Sequence, residues 1–141
     1  MMLTRRVVVC LGVDGGRVVK GTEFERLRDV GEPAEMANRY EQDGADEIVF
    51  LDVTATVEQR AAVLTIVERT SEQLFIPLTL GGGIRSVDDV SRALRAGADK
   101  VAMNSALLTN DALLRASADQ FGSQCVVASI DFQYRQLAVD S

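Results

Sequence analysis

The chain has 141 residues, 47% of them hydrophobic, with a formal net charge of −6, no histidine and two cysteines. That is enough apolar material for one packed domain, and the acidic balance argues against nucleic acid as a partner. Without imidazole, histidine-based acid–base chemistry and histidine-ligated metal sites are excluded within these residues. Cys10 and Cys125 lie in apolar runs without metal-ligand spacing, which predicts buried free thiols, no metal and no disulfide. No apolar stretch reaches membrane-span length and no leader is evident, so the expected setting is cytoplasmic and away from membranes.

Along the chain, apolar β-branched runs alternate with helix-period segments. Val7–Leu11 reads as the first strand. Gly12–Gly21 follows as a small glycine-bounded hairpin on the rim. Pro33–Asp43 reads as a helix, with Pro33 at a first helical position and Gly44 at the stop. Glu47–Leu51 is a strand and Val57–Leu74 a long helix whose charged face, including Glu58, Arg60, Glu68 and Arg69, reads as solvated surface. Pro77–Leu80 is a third strand. Ser86 with Asp89 forms a capping pair for a helix ending near Gly97. Lys100–Met103, a helix capped by Asn110 and ending at Gly122, and Cys125–Ile130 complete the series. The near-continuous apolar strands and the strand–helix alternation predict a parallel sheet with right-handed crossovers.

Two features concern function. Gly81-Gly82-Gly83 sits where a strand opens into a loop, and Asn104-Ser105 ends the next strand. Glycine lets backbone N–H groups approach an oxyanion closely, so this rim suits a phosphate. Secondly, Gly44-Ala45-Asp46 recurs as Gly97-Ala98-Asp99, each time between a helix and a strand. The echo suggests two similar βαβα quarters.

These residues carry a resemblance. Gly16–Gly21, Val49–Ala55, Gly81–Ile84, Asp99–Val101 with Asn104-Ser105, and Phe121–Gln124 resemble the N-terminal half of the HisF-like cyclase of imidazole glycerol phosphate synthase, from histidine biosynthesis. The resemblance runs from Arg5 to Asp131 and implies an α/β half TIM barrel, (βα)4 plus a fifth strand, over residues 1–131, with a non-family tail at 132–141. A full barrel of this kind takes about 250 residues. It implies a cyclase/lyase reaction on a phosphorylated ribotide without cofactor, fed with ammonia by a glutaminase subunit. Two aspartates would act as acid and base. The strand-five aspartate matches Asp131, whereas Gly12 stands at the strand-one position. Asp14 is the nearest substitute, about 6–7 Å further along an extended chain.

Other matches are Lys20, Asp52, Gly82, Gly83, Asn104 and Ser105 for substrate or phosphate. Arg6, Glu47 and Lys100 match a charged ring at the ammonia entrance, and Asp99 matches a residue of the glutaminase face. The expected function is a phosphosugar-binding half barrel with lost or greatly reduced cyclase activity. Two alternatives stand beside it: an active cyclase assembled from identical halves, and a scaffold or glutaminase-binding fragment. Open strand edges at strands one and five predict a homo-oligomer.

Overall fold

The computed structural model describes residues 4–22, 25–54, 57–104 and 111–132. In chain order the elements are β1 (Val8–Asp14), β2 (Arg17–Thr22), β3 (Glu25–Gly31), α1 (Pro33–Gln42), β4 (Glu47–Asp52), α2 (Val57–Ser71), β5 (Leu78–Gly81), α3 (Val87–Ala96), β6 (Lys100–Met103), α4 (Ala112–Phe121) and β7 (Val126–Ala128). They form one sheet of order β3-β2-β1-β4-β5-β6-β7. The strands from β1 through β4, β5 and β6 to β7 pair in parallel. This is an open α/β sheet, half of a TIM barrel: (βα)4 and a fifth parallel strand, with an antiparallel hairpin set between β1 and α1.

Local chemistry starts and stops α1 and α3 where the sequence reading expects, whereas α2 ends at Ser71 and not at Leu74. Pro33 opens α1 after Glu32, whose carboxylate accepts from the Glu35 N–H. At α3, Ser86 and Asp89 form the full reciprocal capping box, and Gly97 closes the helix. Asn110 lies outside the described residues, and Asp111 ahead of α4 makes no capping hydrogen bond with its side chain. The tail from residue 133 also lies outside them.

Parallel register sorts the side chains into two faces. Leu11 stands beside Phe50, Phe50 beside Leu80, and Leu80 beside Val101. These residues are buried with Val63, Val67, Val90, Ala93 and Leu113 of the helices in one apolar core. The alternate set, Val8, Cys10, Val49, Leu51 and Val127, points to the opposite face and has no helical cover among the described residues. Val8 is 50% exposed and Val127 38% exposed. Cys10 is exposed for the same reason, which corrects the expectation of a buried thiol.

The Gly-Ala-Asp echo has a physical origin. The Asp46 carboxylate accepts from the Val7 N–H at 2.6 Å, while the Asp46 N–H donates to the Val7 carbonyl at 2.8 Å. Asp99 repeats this clasp on Leu78, at 2.8 Å in both directions. Ala45 and Ala98 are buried at the same step. Each copy thus ties the entrance of one strand to the start of its neighbour.

Two expectations change. Strand one is an open edge only over Val8–Leu11, because β1 runs on to Asp14 and β2 pairs with its Gly12–Asp14 segment. The turn between them places Gly15 and Gly16 at positive φ, the hairpin geometry whose twist matches the flanking strands. The rim loop is therefore larger than the short hairpin expected over Gly12–Gly21, since β3 extends it by a further strand. Among the described pairings, Val8–Leu11 of β1 and the outer side of β7 remain free.

Candidate functional site

The C-terminal ends of the parallel strands carry the candidate site. Gly82 and Gly83 follow β5 with φ of 83° and 70°. A Cβ at Gly82 would collide with the Asp52 carbonyl oxygen, so the loop lies directly on the end of β4. Glycine at 82 is thus required by packing before any ligand is considered. On the other flank, Asn104 follows β6, and its Nδ2 donates to Asp131 Oδ2 at 2.6 Å. Both residues are exposed. The sheet brings the matched asparagine and the matched strand-five aspartate together although 27 residues separate them. Ser105 lies outside the described residues.

Gly12 and Asp14 share the uncovered face of β1, four strand positions away from β7 in the sheet order. Asp14 is half-buried at the hairpin turn, opposite Arg17 in register. The structure therefore does not bring Asp14 and Asp131 together within the chain. Lys20, on β2, is exposed. Asp52 takes the helix-side face with Val13, and its Oδ1 accepts from the Thr54 N–H at 2.8 Å.

Arg6, Glu47 and Lys100 converge at the opposite end of the strands. Glu47 is 6% exposed. It accepts from Arg6 at 2.7 Å, from the Thr79 hydroxyl at 2.8 Å and from Lys100 at 3.3 Å. Burial pushes its carboxyl upward, but the Thr79 and Lys100 hydrogen bonds and the two cations outweigh that and hold it below the usual glutamate range. Thr79 was not singled out by sequence, since a lone threonine in a strand carries no signal until its neighbours in register are known. Asp99 stands apart from this cluster, its carboxylate engaged by the Leu78 N–H.

Arg60 is the other residue that sequence missed. It is half-buried, and it lines a cavity of about 220 Å³ between α2 and α3 with Asp52, Gly82, Gly83, Asp89 and Arg92. The solvated-face reading of α2 fails at this position. The side chain of Glu58 lies outside the described residues.

With this geometry in view, comparison with known proteins is informative. The family model described as "Histidine biosynthesis protein" matches residues 6–141. The chain belongs to that family. It is 67% identical over 130 residues to "Imidazole glycerol phosphate synthase subunit HisF" of Myxococcus xanthus, covering 92% of this chain and 51% of that protein. The HisF subunits of Methanocaldococcus jannaschii and Methanosphaerula palustris are 55% and 53% identical, over 92% and 93% of this chain and 48% and 49% of theirs. The chain spans about half the length of the curated relatives it matches, and among its described residues no helix is long and apolar enough to cross a membrane.

Because folding holds the Glu47 carboxyl below the usual glutamate range, its contribution to stability is present above the unfolded value and is lost as pH falls through the folded one. Urea unfolding from pH 7 to pH 3 should show Glu47→Gln less stable than the parent at pH 7, with a shallower acid decline. Equal slopes would refute the linkage. At the rim, a Cβ on Gly12 meets Val19 only at ordinary contact distances, 3.5 and 3.8 Å. Gly12→Asp should therefore change the urea midpoint little. Gly82→Ala should destabilise by about 2 kcal/mol or more, through the collision and the positive φ.

Proposed function

We propose that this chain is a phosphosugar-binding half barrel related to the imidazole glycerol phosphate synthase cyclase, with cyclase chemistry greatly reduced by Gly12. The observation that supports it is the joint placement of the glycine loop, Asn104 and Asp131 on one rim, opposite a β1 that lacks its carboxylate. The N–H groups of Gly82 and Gly83 and the Asn104 end of β6 would hold the phosphate of a ribotide, with Ser105 and Lys20 as further ligands. Asp131 would be left as a lone acid or base. Proton shuttling across a bound intermediate needs a carboxylate on each side, and glycine offers none.

The test is calorimetric titration of the chain with a bisphosphorylated ribotide of the family's substrate type. Saturable binding is expected, lost or weakened at least tenfold in Asn104→Asp, which sets a second carboxylate beside Asp131 on the phosphate flank. No binding overturns the reading. Restoring the missing acid with Gly12→Asp should then raise ammonia-dependent turnover above that of the parent.

A second part of the reading concerns assembly. Parallel sheets are normally covered on both faces, and here Val8, Cys10, Val49, Leu51 and Val127 leave one face bare. Among the described residues the outer edge of β7 adds unpaired backbone groups. The chain would bury this surface against a second copy. Light scattering at micromolar concentration should report a dimer or larger species, and a monodisperse monomer would remove this part. A glutaminase subunit is a further proposed partner, at the end of the strands where Glu47, Arg6 and Lys100 meet.

A further inference from the structure

The cavity beside α2 lies on the β4 flank of the glycine loop, whereas Asn104 lies on the β6 flank. Its apolar walls come from Val63, Leu64, Leu80 and Ile84. Inside it the Arg60 Nε is buried and has no hydrogen-bond partner among the described residues. An unmet donor on a charged group is costly, so this atom calls for an acceptor.

Glycine at 83 keeps a side chain out of this corner of the cavity. A Cβ there would meet Asp52 Oδ2 at 3.5 Å and Arg60 Nε and Cζ at 3.8 Å, so the bare glycine faces both groups. Asp52 Oδ1 is already committed to the Thr54 N–H. Asp89 accepts from the Arg85 and Ser86 N–H groups through Oδ2, and Arg92 pairs with Asp88 through Nε. Beside Gly83, one carboxylate oxygen and one guanidinium N–H border the same part of the cavity.

The charges decide the ligand class. A phosphate placed there would gain Arg60 but press against the Asp52 carboxylate, and a cation would meet the reverse conflict. A hydroxyl satisfies both, donating to Asp52 Oδ2 and accepting from Arg60 Nε. The apolar walls suit the C–H face of the carbon skeleton that bears it. We propose that this cavity is a hydroxyl subsite that takes a neutral polyol such as a pentose. It uses the flank of the loop opposite Asn104 and does not rest on the phosphate reading.

The experiment is an NMR titration of the intact chain with D-ribose, following the Arg60 Nε–H signal and the Gly83 amide. Saturable shifts of both are expected. Arg60→Gln, whose folding the same spectrum reports, should weaken ribose binding by about tenfold. Arg60→Lys should weaken it similarly, because an ammonium keeps the charge but not the fixed N–H direction. An Arg60 signal unmoved by ribose, or equal ribose affinity in Arg60→Gln, overturns the proposal. So does inorganic phosphate moving that signal where ribose does not. A parallel phosphate titration read at the Asn104 amide reports the rim site separately, so the two readings fail independently.

Discussion

The packing of α1 to α4 against one face of the parallel strands is the constraint from which the rest of the molecule follows. In-register pairing sends Leu11, Phe50, Leu80 and Val101 into the helical layer together, and the alternate residues must then face the other way. A closed barrel would fill that second side with its own side chains. Among the described residues the sheet ends at β7, and the alternate side chains face away from the helices. The same register gathers the chemistry at one end, because every strand of a parallel sheet delivers its C-terminal residue to the same rim.

Glu47 shows how this face handles charge. It points to the inner side yet is buried, and a carboxylate there is tolerable only because Arg6, Thr79 and Lys100 all reach it. The cluster is a structural device as it stands, with each of the three groups that were matched to an ammonia entrance already engaged with another. Any gating role would have to break these contacts.

The glycine loop teaches a related caution. Three glycines in a row suggest a phosphate cradle, but Gly82 is demanded by its contact with the backbone of Asp52. What lends the phosphate reading weight is position. The loop shares a rim with Asn104 and Asp131, and the vacancy at Gly83 opens toward a different pair, Asp52 and Arg60. One short loop thus borders two chemically distinct flanks, the Asn104–Asp131 pair on one side and Asp52 with Arg60 on the other.

Much was legible in the sequence because much is local. Helix starts at Pro33 and Ser86, the stop at Gly97, the alternation of strands and helices and the family motifs all depend on residues near one another in the chain. Hydrogen bonds that span three or four residues are written in three or four residues. The Gly-Ala-Asp echo was visible too, although its purpose emerged only when Asp46 met Val7 and Asp99 met Leu78. Tertiary structure alone decided that β2 and β3 extend the sheet beyond β1, that Thr79 shares Glu47 with Lys100, and that Arg60 turns from the helix surface into a cavity. Those outcomes depend on which strands lie side by side and on what stands across a gap. Periodicity marks a residue's face but not the partner that the face will meet.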